Sequence, residues 1–380
     1  MMEQPMSEVV ISTDNHVNEP PWVFDRVPAN LRDRAPKMMK GADGGDGWSF
    51  DGGPPKRTFG IEAMAGRAKD DYKLEGLAWD EILKGNYDGA AHLEDMKTDG
   101  VDACVVYPNQ SIFTYMTPDR ELGMACMRSY NDWLLEEFQA ADPSRIVGLP
   151  LLPTDDGMDV TLAEIERTAA LGAKAFFLPG MPQRPYNDAY YEPLWKAASD
   201  GGFPLSFHRT FGGAPPDQDW DELVEQKVSV PGIASRFFCA VRPLTYMIFA
   251  GIFERHPGLR MIAAEVNFGW IPFWLQTMDQ EWETQKAWSD SPLASRPSSF
   301  AGEQVFTTSL DDHVGYDLIR GGSPGLARTT MYSTDYPHSV TLWPDSGKHI
   351  PELTKGLSAE DARDVLYGNA ARVYGFDLED

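Results

Sequence analysis

VVISTDNH, residues 9–16, is the stretch whose reading decides the fold. Val9, Val10, Ile11 and Thr13 are β-branched, the residue type that favours extended chain. The run ends in Asp14 and His16. Two positions apart on a strand, their side chains leave the same face. TTMYSTDYPH, 329–338, is a second such run, ending in Asp335 and His338, and PLSFHRT, 204–210, is a third, ending in His208. These ends are remote in sequence and can supply one site only if their strands lie side by side. A closed parallel barrel arranges them so, with its chemistry at the C-terminal rim.

The pattern between them agrees. Strand-like runs fall at about 101–108, 146–153, 173–179, 204–210, 259–266, 305–310 and 329–335. Helical periods separate them, as in GAAHLEDMKTDG at 89–100 and TLAEIERTAALG at 161–172. With 9–16 this makes eight strands alternating with helices, which predicts an α/β chain closed into a (β/α)8 TIM barrel. The whole chain, 1–380, reads as a single metal-dependent domain. A long stretch rich in Pro and Gly, 17–87, reads as an irregular insertion after the first strand that covers the active-site mouth. Within it, GWSFDGG is expected to form a small hairpin.

Composition bounds the function. With 58 acidic against 33 basic residues the net charge is −25, a surface that repels nucleic acid. Three widely spaced cysteines, Cys104, Cys126 and Cys239, read as reduced, mostly buried thiols of a cytoplasmic protein. The N-terminus lacks the basic and apolar runs of a signal peptide. No run reaches 18 apolar residues, so no membrane span is expected. FGWIPFWLQTM, 268–278, reads as a buried helix. Its apolar character also suggests a homodimer.

A carboxylate and an imidazole on one strand face make half a divalent-metal site; Asp14 capping a loop and His16 packing in the core is the alternative. His208 and Asp335 at other strand ends complete the set. Glu265, inside the apolar run LRMIAAEV, is either a further ligand or the partner of a buried arginine such as Arg209 or Arg242, because a lone buried carboxylate is costly. Glu19, in HVNEP, is either a ligand or a turn cap.

The constellation resembles the amidohydrolase superfamily, in its aminocarboxymuconate-semialdehyde-decarboxylase-like branch, amidohydrolase 2. TDNHVNEP is similar to that branch's first-strand motif, SFHRTFGG to its fifth-strand histidine, STDYPH to its eighth-strand aspartate and YGNAARVYGF to its closing helix. The resemblance implies that Asp14, His16, His208 and Asp335 bind the metal. Two departures stand out. Many members have His-x-His where this chain has Asp14-x-His16, and some carry a histidine where it has Glu265. Both make the site more anionic, suited to Zn, Mn or Fe, as one or two ions. Lys174, near the start of its strand, faces away from the mouth.

The expected activity is hydrolysis or decarboxylation of a bulky apolar or aromatic carboxylate or acyl substrate, with a metal-activated water and Asp335 as acid and base. His338 and Arg209 join Asp335 as catalytic candidates. Phe177, Phe211, Trp270 and His313 are substrate-binding candidates, and Arg209 and Arg242 are candidates for holding a substrate carboxylate or phosphate. The alternative is a non-haem iron or di-iron monooxygenase on the same barrel, hydroxylating a bulky hydrophobic substrate with O2, because two histidines and a carboxylate also make an iron set. The partner expected is a small molecule.

Overall fold

The computed structural model describes residues 9–208 and 234–378. β1 (Ile11–His16) is followed by an antiparallel hairpin, β2 (Lys37–Lys40) with β3 (Asp46–Ser49). The remaining strands are β4 (Ala103–Tyr107), β5 (Ile146–Gly148), β6 (Phe176–Leu178), β7 (Leu205–His208), β8 (Met261–Ala264), β9 (Val305–Ser309) and β10 (Thr330–Tyr332). All eight expected strands are present, each shorter than its apolar run.

β1, β4 and β5 pair in parallel, as do β6 through β10 in sequence order. Backbone bonds cross one seam between these runs. Phe177 N donates to Pro150 O at 2.9 Å, and Leu152 N donates to Phe177 O at 3.2 Å. At the other seam Thr13 Oγ1 donates to Tyr332 O at 2.9 Å, Thr334 N to Ser12 Oγ at 2.9 Å, and His16 N to Tyr336 O at 2.7 Å. The eight parallel strands form a (β/α)8 barrel. Their interior is packed, with Tyr107, Phe177, Ile262 and Phe306 all buried.

Helices α1 (Gly89–Asp99), α2 (Arg120–Trp133), α3 (Met158–Ala170), α4 (Glu192–Gly201), α5 (Phe238–Phe249), α6 (Ile252–Arg255), α7 (Ile271–Gln285) and α8 (His313–Arg320) follow the strands. Sequence sets their ends. Asp88 caps α1 by accepting from Ala91 N, and Gly100 closes it at φ 76°, a left-handed conformation that glycine adopts without a Cβ clash. α7 differs from the buried helix expected of FGWIPFWLQTM. Ile271, Trp274 and Met278 face inward, whereas Phe273 is 76% exposed.

The 17–87 stretch contains one hairpin among single turns of 3-10 helix, and the hairpin is not GWSFDGG alone. Gly47–Ser49 lie in β3, whose partner β2 is drawn from KMMK. The Asp43–Gly45 turn joins them, with Asp43 Oδ1 accepting from Gly45 N. The stretch is tied to the end of the barrel. Met64 N and Ala65 N both donate to Pro337 O at 3.1 Å, and Ser339 N donates to Ile61 O at 2.8 Å.

Candidate metal centre

Four strand ends deliver the polar side chains. Asp14 and His16 come from β1. Its pairing with β4 shifts between Ser12 and Asn15, so three steps on β1 oppose two on β4. Such a bulge re-aims side chains. His208 ends β7 and Glu265 directly follows β8, at φ 57°. Asp335 lies three residues beyond β10, at φ 50°. Non-glycine residues in the left-handed region carry strain of about 1–3 kcal/mol each and cluster at functional sites.

These side chains converge. His16 Nε2 lies 3.3 Å from both Asp14 Oδ1 and Asp335 Oδ1. His208 Nε2 lies 3.5 Å from Asp14 Oδ1 and 3.5 Å from Glu265 Oε2. Asp14 Oδ1, His16 Nε2 and His208 Nε2 are buried and make no hydrogen bond, and the buried Asp335 Oδ1 faces His16 and His338. Orphaned buried polar atoms are expensive unless something else satisfies them. Donors bound at about 2.1 Å around a tetrahedral ion sit about 3.4 Å apart. The spacing of Asp14, His16 and His208 therefore fits one divalent ion, held by one carboxylate and two imidazoles, with Asp335 beside His16. Asp14, His16 and His208 form one group within ligand reach of a common ion; His16, Asp335 and His338 form a second.

Electrostatics points the same way. Burial pushes the His16 pKa down, but the carboxylates of Asp14 and Asp335 on either side hold it up at about 10. Burial pushes the Asp14 and Asp335 carboxyls up, yet the neighbouring imidazoles bring both below the ordinary aspartate value. The cluster calls for a positive charge, which a proton or a metal cation supplies.

Above the cluster lies a cavity of about 320 Å³. His16, His208, Glu265, Asp335 and His338 form its polar side. Ile61, Ile112, Phe113, Phe177 and Val340 supply apolar walls, and Arg57 and Arg236 add cations. His338 Nδ1 is 2.8 Å from Asp335 Oδ1, and its ring stacks on His16 at 4.0 Å. Arg57 pairs with Glu62 at 2.5 Å. Arg236 pairs with Glu265 Oε1 at 2.9 Å and reaches Asn267 Oδ1 at 3.4 Å.

The other sequence candidates are placed as follows. Glu19 is buried beside β1, but its oxygens accept from the backbone amides of Asn109, Gln110 and Ser111 at 2.8–3.1 Å. It holds a loop, as the turn-cap alternative had it. Trp270 and His313 are not among the cavity residues. Trp270 Nε1 donates to Val266 O and Asn267 O, and the His313 side chain is 79% exposed beside Asp311. Arg242, rather than pairing with Glu265 or facing a substrate, stacks over Tyr246 outside the cavity. Lys174 points to Pro143 O, away from the mouth. Arg209 and Phe211 lie outside the described residues.

Sequence reading missed Arg57, Arg236 and Phe113. Arg57 sits in PPKRTFG, where no periodicity marks a facing, and Arg236 precedes an aromatic pair that dominates its surroundings. No signal in either segment distinguished them from surface arginines.

A family model described as Amidohydrolase matches residues 91–376. No curated protein matches the sequence. Among solved structures, an amidohydrolase of Mycobacterium avium subsp. paratuberculosis K-10 superposes with a TM-score of 0.71 at 18% identity, over 98% of each chain. A 5-carboxyvanillate decarboxylase of Sphingomonas paucimobilis gives 0.67 at 21% identity, over 97% of this chain and 99% of its own. A 5-carboxyvanillate decarboxylase of Novosphingobium aromaticivorans DSM 12444, complexed with manganese and 4-hydroxy-3-methoxy-5-nitrobenzoic acid, gives 0.66 at 18% identity, over 98% of this chain and 97% of its own. At such identities the likeness is one of fold.

Proposed function

The chain belongs to the amidohydrolase family, and on that premise we propose that its barrel mouth is the active centre of a decarboxylase acting on a single-ring aromatic carboxylate. The observation that carries this reading is the set of buried donor atoms at the strand ends, of which those of His16, His208 and Asp335 belong to cavity-lining residues and that of Asp14 lies against His16 and His208. Asp14, His16, His208 and Asp335 would hold the ion, with Glu265 as a further ligand. When bound, the cation would polarise the substrate's carboxylate and a neighbouring oxygen. Manganese is the metal proposed, supported by the oxygen-rich donor set and the manganese complex of the solved decarboxylase.

The protein's own residues do the rest. About 320 Å³ is at the small end of ligand sites and suits one substituted ring. Phe113 and Phe177 would flank that ring, and Arg57 and Arg236 would meet its polar substituents. Cleavage of the ring–carboxylate bond leaves its electron pair on the ring carbon, which takes up a proton as CO2 departs. His338 Nε2 is buried at the cavity and has no hydrogen-bond partner. It would deliver that proton, with Asp335 behind Nδ1 steadying the charge. The whole chain acts in this reading as one catalytic domain, with part of 17–87 closing the mouth.

Iron-dependent monooxygenation remains the second reading. The two donor groups share His16, and Glu265 adds a carboxylate beside His208, so the site has donors for a second ion. Among the described residues no helix is long and apolar enough to cross a membrane. We further propose a cytoplasmic homodimer. The exposed aromatics Phe238, Tyr246 and Phe273 on α5 and α7 support the association, the two helices being joined by a bond from Trp274 Nε1 to Thr245 Oγ1 at 2.8 Å.

The test is elemental analysis of protein purified without added metal, followed by CO2 release and O2 uptake with a panel of hydroxylated benzoates. One manganese per chain with CO2 release bears the proposal out, and one zinc with CO2 release would keep the decarboxylase but overturn the choice of metal. Two irons per chain with substrate-dependent O2 uptake would replace it with oxygenation, and acyl cleavage without CO2 would replace it with hydrolysis.

A further inference from the structure

Asn15 stands between Asp14 and His16 on β1, so strand alternation turns its side chain away from theirs. It is 1% exposed, yet every polar atom of its amide is engaged. Oδ1 accepts from Ser12 Oγ at 2.5 Å and from Thr334 Oγ1 at 3.0 Å. Nδ2 lies 3.0 Å from His92 Nε2 on α1. The network spans the β1 bulge from Ser12 to Asn15, and reaches the residue that precedes Asp335.

The proton positions follow from the partners. His92 Nδ1 is 2.7 Å from Gly85 O, and a carbonyl only accepts, so Nδ1 carries the proton. In the neutral ring Nε2 is then an acceptor, and Asn15 Nδ2 donates to it. That fixes the amide's orientation, with Oδ1 facing the two hydroxyls. Burial holds the His92 pKa down at about 4, so this tautomer persists at neutral pH. His92 also packs edge-on against Tyr336 at 5.2 Å, and Tyr336 O accepts from His16 N. α1 thus supports two of the four segments that carry ligands, β1 and the one that holds Asp335.

We infer that Asn15, oriented by His92, is a positioning residue that sets the spacing between the ligands of β1 and Asp335, and thereby the affinity of the centre for its ion. The inference rests on the metal-site reading proposed above. Groups that orient ligands change metal affinity by about 10–100-fold when removed. A buried amide that merely stabilised the barrel would change melting temperature and leave affinity alone.

Gln304 provides the control. At the start of β9, on the opposite end of the barrel, its Nε2 donates to Phe253 O, His256 O and Leu259 O at 2.9–3.2 Å. The experiment measures Mn²⁺ dissociation constants by equilibrium dialysis and the visible spectrum of the Co²⁺-loaded protein. The samples are wild type, Asn15→Leu, His92→Phe, His92→Gln and Gln304→Leu. Asn15→Leu and His92→Phe are expected to weaken Mn²⁺ binding at least tenfold and shift the Co²⁺ bands. His92→Gln, which keeps an acceptor for Asn15, should recover most of the affinity. Gln304→Leu should lower the melting temperature with affinity within twofold of wild type. Should Asn15→Leu not fold, the contrast between His92→Phe and His92→Gln decides alone. Wild-type affinity and an unshifted spectrum in Asn15→Leu or His92→Phe would overturn the positioning role while leaving the metal site standing. Failure of wild type itself to bind Mn²⁺ would remove both.

Discussion

Replacing Glu19 by glutamine separates a loop anchor from a metal ligand. Glu19 Oε1 accepts from Asn109 N at 3.1 Å and Ser111 N at 2.8 Å, and Oε2 accepts from Gln110 N at 2.8 Å. Glutamine keeps one acceptor oxygen and places an NH2 where the other was, so one backbone N–H faces a donor. Leaving a buried donor unsatisfied costs about 1–3 kcal/mol, and the two remaining bonds lose their charge assistance. The total is about 3 kcal/mol. The unfolding entropy of a chain this long is about 0.8 kcal/mol/K, so the melting temperature should fall by about 4 °C. Asn109 and Gln110 line the cavity, so KM should rise as their loop loosens. Metal content, read by mass spectrometry after gel filtration, should equal that of wild type. Metal loss with the melting temperature within 1 °C of wild type would refute the loop-anchor reasoning and make Glu19 a ligand.

His92 should make stability depend on pH. Its pKa is held at about 4, below the 6.5 of an exposed imidazole. The unfolded chain therefore binds the extra proton between these values, and the contribution is complete above pH 6.5 and lost as pH falls toward 4. Between pH 7 and pH 5 the loss is about 2 kcal/mol, visible as a difference in urea midpoints that His92→Phe removes. Phe177→Ala should cost about 3–5 kcal/mol, because Phe177 is 1% exposed; a smaller loss accompanied by a large rise in KM would mean that the ring serves substrate more than core. His208→Ala and Asp335→Ala should each lose the ion and turnover together, as metal analysis alongside the CO2 assay would record. Chelation should lower wild-type stability by about 4 kcal/mol if the ion is present at a thousand times its dissociation constant, and an unchanged melting temperature in chelator would deny that folding and metal binding are linked.

The barrel was legible because its strands are buried on both sides and read as short β-branched runs such as ACVVY and MIAA, bounded by turn residues. Asp14, His16, His208, Glu265 and Asp335 were legible for the same reason, since a polar side chain at the end of an apolar strand stands out. Glu19 carried no comparable signal. Its neighbours gave a carboxylate near a metal motif, whereas its bonds run to backbone amides some 90 residues away, which no local pattern encodes. His92 likewise reads as an ordinary helix position; only the meeting of α1 with β1 brings its Nε2 to Asn15. Trp270 and His313 lie near strand ends in the sequence, but residues following a strand turn either toward the mouth or back over a helix, and here both turn away. The cavity's far wall comes from 17–87, where turns replace periodicity, so Arg57 could not be assigned a facing.

Anomalous diffraction at the manganese edge, from crystals grown with Mn²⁺, tests the central claim most directly. A peak bonded at once by Asp14, His16, His208 and Asp335 is the expected result. A peak away from these four side chains, or none in crystals of protein shown to hold the metal in solution, would contradict it.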